Sequence, residues 1–196
     1  MNSSIHVTTG GMIIVHNCDL DESHITKIIE KMSLPENKIT SLVLDHVDLR
    51  QDSIGSSLFN QMHHGLLRLE IHCVTGLECT TTLIALADFL KKNKTIKELG
   101  IGHSNIDQTK LGWLIHYLPN TGVERLFIDE PSLPVREIIG IFRAGSDAPL
   151  SNLELDLCVD YSSSDTRSLE RLLKMNLIKR VKLRNHTGDE PIILES

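Results

Sequence analysis

The sequence predicts an α/β fold: a right-handed α/β solenoid of about seven short strands in one parallel sheet, with helices on the convex side. Three observations carry this expectation. An apolar-x-x-apolar-x-apolar pattern recurs at seven places, starting at Gly10, Ile39, Leu66, Ile96, Val123, Leu150 and Ile178, 27 to 30 residues apart. The segments between these places carry the crowded apolar spacing of packed helices. A strand–helix unit this short cannot bury its own apolar side, so it needs copies stacked on both sides.

The stretch Thr95–Ile106 shows the logic of one unit. Leu99 and Ile101 flank a position that does not face the core, the period-2 signature of a strand with one buried face. Positions four and six of the other frames do the same: Ile13 and Val15, Leu42 and Leu44, Leu69 and Ile71, Leu126 and Ile128, Leu153 and Leu155, Val181 and Leu183. Burying each such side chain is worth roughly 1.5–3 kcal/mol before entropy is counted.

The helices follow in order. Asp21 to Met32 places acids in the first turn and lysines later, as the helix dipole favours. Ser53 to Met62 carries Ile54, Leu58, Phe59 and Met62 on one side, and Thr82 to Lys92 carries Leu83, Leu86, Phe89 and Leu90. Leu111 to Leu118 follows the fourth strand, with Trp113 and Tyr117 sharing a face as packing residues. Val135 to Phe142 starts just after Pro134, and Ser168 to Met175 is the shortest. Pro35, Asn93, Pro119-Asn120 and Gly145 read as helix stops.

Composition narrows the function classes. Apolar content of 40% supports a core, and aromatic content of 4% makes that core aliphatic. A net charge of −6 argues against a nucleic-acid partner. No apolar run approaches a membrane span and no apolar segment follows Met1, so no membrane contact and a cytoplasmic location are expected. Cys18, Cys73, Cys79 and Cys158 lack paired metal spacing and read as thiols of a reducing compartment. The triplets at Asn2, Asn93 and Asn185 are accordingly expected to stay unglycosylated.

The recurring Leu-x-x-Leu-x-Leu frame resembles the leucine-rich repeat, specifically the ribonuclease-inhibitor type, over roughly Gly10 to Gly188. That resemblance implies a horseshoe arc whose ninth position is Asn or Cys, bonding the neighbouring loop. Cys18 and Cys158 match; Val47, Val74, Ser104, Pro131 and His186 do not. The eleventh position should be apolar: Leu20, Leu49, Ile106 and Leu133 fit, whereas Gly76, Asp160 and Gly188 depart. The phrase from Ala85 to Leu99 looks like the repeat regions of NOD-like receptors. No Gly-x-x-x-x-Gly-Lys-Ser/Thr loop occurs, so that family's ATPase module is not in this chain.

The expected organisation is an edge segment over 1–9, repeats over 10–188 and a tail over 189–196. Stack ends need cover. At the N-terminus either Ile5-His6-Val7 folds over the edge, or another domain or subunit covers it. Lys179, Arg180, Lys182 and Arg184 give the last repeat the polar look of a cap.

The outward strand positions define a concave face. Position seven reads His16, Asp45, His72, Gly102, Asp129, Asp156 and Arg184; position five reads Ile14, Val43, Glu70, Gly100, Phe127, Glu154 and Lys182. Asp129, Glu154 and Asp156, with Glu124 and Glu130 nearby, are expected to form an acidic patch of mutually raised pKa that suits a basic partner. Phe127, an outward aromatic in an aromatic-poor chain, is a candidate hot spot, with Arg125 beside it.

His16, Asp45 and His72, flanked by His46 and His103, have zinc-ligand chemistry and would also make the surface pH-sensitive. Ladder positions diverge along an arc, so the expectation is polar surface without a metal or other cofactor. Cys73 stands outward beside His46 and His103 and reads as a surface thiol. Neither a Gly-x-Ser-x-Gly elbow nor a His-Glu-x-x-His pair is present, so no catalytic residues are assigned. The function expected is a non-catalytic protein-protein interaction module that binds its partner through Phe127, Asp129, Glu154, Asp156, Arg125, His72, Asp45 and His103. The alternative is a repeat fragment of an intracellular immune-type receptor, or a bacterial effector acting on a host protein.

Overall fold

A computed structural model describes residues 4–51, 53–62, 65–144, 150–185 and 190–195. The chain is α/β; its described residues form six α-helices and nine strands, which make one sheet in sequence order. Seven strands run parallel: β2 (Met12–Asp19), β3 (Ser41–Asp48), β4 (Arg68–His72), β5 (Glu98–Gly102), β6 (Arg125–Asp129), β7 (Leu150–Cys158) and β8 (Ile178–Arg184). Short antiparallel strands, β1 (Ser4–Val7) and β9 (Ile192–Glu195), pair with β2 and β8 at the two edges. The sheet does not close into a barrel.

The connecting helices are α1 (Glu22–Ser33), α2 (Ile54–Gln61), α3 (Thr80–Lys92), α4 (Gln108–Tyr117), α5 (Val135–Ala144) and α6 (Ser163–Lys174). Their starts are chemically marked. The Asp21 carboxylate accepts the His24 N–H at the head of α1, and Asp107 accepts the Lys110 N–H at α4. Ser162 and Asp165 form a reciprocal capping box at α6. That box starts α6 five residues before Ser168, the start expected from the sequence. Residues 163–167 are polar, so apolar periodicity cannot reveal the first turn.

Residues at positions four and six of the frames lie 0–2% exposed and join helical residues such as Ile25, Leu58, Leu86, Leu114, Ile138 and Leu172 in one core. The helices therefore cover one face of the sheet, and the alternate strand side chains stand on the open face. The rings of Trp113 and Tyr117 meet at a tilt of 46° with centroids 4.4 Å apart and pack on this core, as expected.

One register needed correction. Leu69, Leu99 and Leu126 pair as the frame requires, but Leu126 then pairs with Leu155 rather than Leu153, and Ile128 pairs with Leu157. Leu150 still pairs with Ile178; a register shift of two residues before Glu154 re-phases β7. The segment Leu153-Glu-Leu-Asp-Leu157 alternates, so a two-residue slip keeps the same face buried and the pattern alone cannot choose.

At the N-terminal edge, the first of the two expected arrangements is present. Ile5 and Val7 of β1 pack on the core beside β2. At the other edge the tail is not irregular but supplies β9, whose Leu194 packs inward while Ile192 and Ile193 stay exposed. Gly145, His186, Gly188 and Asn2 lie outside the described residues. Asn93 is 1% exposed, its side-chain oxygen held by the Thr95 hydroxyl, and is no acceptor for a glycan.

Candidate functional site: the open face of the sheet

Three rows of side chains cross the open face, and the register sets their membership. The row nearest the strand starts is Arg68, Glu98, Arg125, Glu154, Arg180 and Glu195, consecutive partners from β4 to β9. The charges alternate. Arg125 reaches Glu98 at 2.6 Å and Glu154 at 3.6 Å; Arg180 reaches Glu154 at 3.9 Å and Glu195 at 3.1 Å; Arg68 lies 3.7 Å from Glu98. Just outside this row Lys97 pairs with Glu124, and Lys179 with Glu154 at 3.0 Å. The pairs are exposed or half-exposed and individually weak, but opposite charges directly across strands favour this register over its neighbours.

The acidic patch expected from the sequence is therefore absent as a block of like charge. Glu154 is neutralised by Lys179, Arg125 and Arg180, and its pKa is lowered rather than raised, first by the Lys179 hydrogen bond. Asp156 is engaged by Arg184, whose Nε donates at 3.1 Å. Glu130 is 2% exposed: it accepts the Ser104 N–H at 2.8 Å, while Ser104 Oγ accepts the Val74 N–H and donates to Gly102 O. Ser104 and Glu130 thus join adjacent loops, the task expected of a ninth-position Asn.

The middle row is Ile14, Val43, Glu70, Gly100, Phe127, Asp156 and Lys182. With the corrected register Asp156, not Glu154, stands beside Phe127. Gly100 leaves a hollow of 310 Å³ bounded by Glu70, Glu98, Arg68, Arg125, Phe127, Asp156 and Arg184. Phe127 is half-buried between His72, with ring centroids 6.1 Å apart, and the Arg184 guanidinium, 5.7 Å from its centroid. Glu70 is held below its ordinary pKa, first by the hydrogen bond from His72 and then by Arg68.

The third row is His16, Asp45, His72, Gly102 and Asp129, with Cys158 and Arg184 paired at its far end. Beyond it, Asn17, His46, Cys73 and His103 all have φ between 48° and 52°. His46 Nδ1 lies 2.9 Å from Asp45 Oδ1, and one ligand atom each of Asp45, His46 and Cys73 lies within 4.8 Å of the other two. Burial, then Asp45, Asp129 and Glu130, push the Cys73 thiol up in pKa, the opposite of an activated nucleophile.

All eight residues expected to bind a partner lie on this face, in separate groups. Phe127 and Asp156 line the hollow, with His72 against the Phe127 ring; Arg125 and Glu154 belong to the charge row, and Arg125 also borders the hollow. Asp129 faces His103 at 3.5 Å, and Asp45 stands one strand from His72. Sequence reasoning missed Gly100 as the floor of the hollow and Arg184 as the lid of Phe127. The Arg/Glu alternation becomes legible only once β7 is phased on Leu155 and Leu157. Comparison with protein-family models, with curated proteins and with solved structures returns no match to the chain. No helix among the described residues is long and apolar enough to cross a membrane.

The carboxylates set the acid stability. Asp48 is lowered to about 2 by the Arg50 hydrogen bond, and Asp107, Glu70 and Glu154 are also lowered by hydrogen-bonded partners. A depressed folded-state pKa contributes stability above the unfolded value, 3.8 for Asp and 4.5 for Glu, and loses it as pH falls through the folded value. The melting temperature is expected to hold from neutral pH to about pH 5 and to fall between about pH 4.5 and 2. Thermal melts across that range check this; a flat profile to about pH 2 contradicts it.

Proposed function

We propose that the chain is a leucine-rich-repeat solenoid of the ribonuclease-inhibitor type, acting as a non-catalytic protein-recognition module of the cytoplasm. Strand–helix units in unbroken sequence order, a ladder of aliphatic core pairs and the left-handed residue recurring at or near the C-terminal ends of the first four parallel strands support the solenoid reading. The four cysteines, none in a disulfide, fit a reducing compartment. In a solenoid the open face is the concave one, and it is there that the partner docks.

The observation that carries the binding site is the hollow over Gly100. A glycine in mid-strand places an aromatic ring, three arginine head groups and three carboxylates around a hollow of 310 Å³. An apolar anchor of the partner rests against Phe127, and its flanking charges exchange with Arg125, Arg184 and Glu70. Because the charges of the face alternate, specificity comes from shape and pairing in the hollow rather than from a basic partner patch.

The test is selection of peptide ligands from a displayed library on the folded chain. Affinity is then measured for Phe127→Ala and for Gly100→Val, which fills the hollow from beneath. Removal of an anchor contact is expected to cost about tenfold or more in Kd for both variants, with the melting temperature kept in Phe127→Ala; Gly100→Val, whose Cβ would lie 3.2 Å from Glu70 Cγ, is compared at a temperature where its melt shows it folded. Ligands that bind Gly100→Val as tightly as the parent would sink the reading.

A further inference from the structure

Asp45 and His46 at the end of β3 and Cys73 just after β4 form a group that neither the charge rows nor the hollow uses. We propose that they are the protein ligands of a zinc ion at the rim of the open face. Register makes the cluster: Asp45 pairs with His72, so His46 and Cys73 follow as neighbours on adjacent parallel strands, about 4.8 Å apart. Both adopt φ of 52°, which turns both side chains the same way out of the ladder.

The donor set is chemically coherent. Thiolate, imidazole and carboxylate are the three ligand types of zinc, and three protein ligands leave a fourth position for water or a partner's side chain. Zinc–ligand bonds of about 2.0–2.3 Å need donor atoms about 3.3–3.8 Å apart, and one ligand atom each of Asp45, His46 and Cys73 lies within 4.8 Å of the other two. The local charge favours a cation too: the groups acting on the Cys73 thiol are Asp45, Asp129 and Glu130, all acids.

Residue choice gives an independent argument. The equivalent position of the first parallel strand is Asn17, also at φ 52°. Asn tolerates this left-handed conformation, and Cys has no such advantage. Backbone demand alone accounts for Asn17, His46 and His103, since Asn and His both favour this conformation, and leaves Cys73 as the choice explained by its side-chain donor. Binding converts the Cys73 thiol to a zinc-bound thiolate and releases its proton to solvent, so affinity rises with pH.

The test compares the chelator-stripped wild-type chain with Cys73→Asn and His46→Asn, both made to a residue that position already accepts, and with Cys158→Ser as a control. Zinc chloride is titrated by calorimetry, and cobalt(II) reports thiolate ligation through its charge-transfer absorption. One zinc per wild-type chain is expected, with a thiolate–cobalt band. Cys73→Asn and His46→Asn keep or raise the metal-free melting temperature and lose about tenfold or more in zinc affinity, the range that even outer-shell changes reach. Cys158→Ser binds as the wild type does. Absence of zinc binding overturns the proposal. So does unchanged affinity in Cys73→Asn, which would assign the metal to the surrounding imidazoles, and so does cobalt binding without a thiolate band.

Discussion

Leu126→Asp is expected to abolish cooperative folding. Leu126 is 0% exposed and sits between Leu99 and Leu155 in the register of β5, β6 and β7. Removing a buried Leu costs about 2–5 kcal/mol, and a carboxylate left in the same apolar site adds a desolvation cost that no cation there offsets. Total stability of a domain is about 5–15 kcal/mol, so the sum reaches the whole of it. The position is also mid-stack: units on either side touch mainly their sequence neighbours, and loss of β6 separates two short remnants. Phe127→Ala, one residue on and facing the open side, is the control and keeps a cooperative melt. A Leu126→Asp protein that melts like the wild type would show that this side chain does not face the core.

Gly122→Ala is expected to be the most damaging small substitution. A Cβ there would lie 2.0 Å from Lys94 O, 2.7 Å from Lys94 C and 3.1 Å from Ile96 O. All three atoms are main chain, so no rotamer relieves the clash. Withdrawal of the turn is blocked as well, because the Glu124 and Arg125 N–H groups both donate to Lys97 O at 2.9 Å. Overpacking of this kind costs about 1–3 kcal/mol or more. For a chain of this size that lowers the melting temperature by about 2–4 °C per kcal/mol. Gly140→Ala in α5 is the counter-case: its Cβ meets nothing within 4 Å, and the substitution is expected to stabilise the helix by about 0.5–1 kcal/mol. Equal melting temperatures for the two variants would contradict the close approach at Gly122.

The contrast between β6 and β7 shows what pattern reading resolves. Around Leu126 and Ile128 the neighbouring residues are Arg125, Phe127 and Asp129, so only one placement buries two aliphatics. In β7 the run Leu153, Leu155 and Leu157 supports two placements that bury the same face equally well. Hydrogen bonding to β6 and β8 decides between them, and the choice moves Glu154 into the charge row and Asp156 beside Phe127. The acidic patch misread from the sequence follows from that slip, and from counting acids along the chain without the cations that stand across from them.

What the sequence determined by itself is the order and period of the strand–helix units and the identity of the buried face, because side-chain alternation and aliphatic content are local properties. Which outward residues meet is set instead by pairing between distant strands. Whether Arg184 covers Phe127, whether Glu154 is neutralised, and whether Asp45, His46 and Cys73 converge all depend on register between strands some 25 to 30 residues apart. A shift of two residues leaves the core energy nearly unchanged and rearranges every contact on the open face.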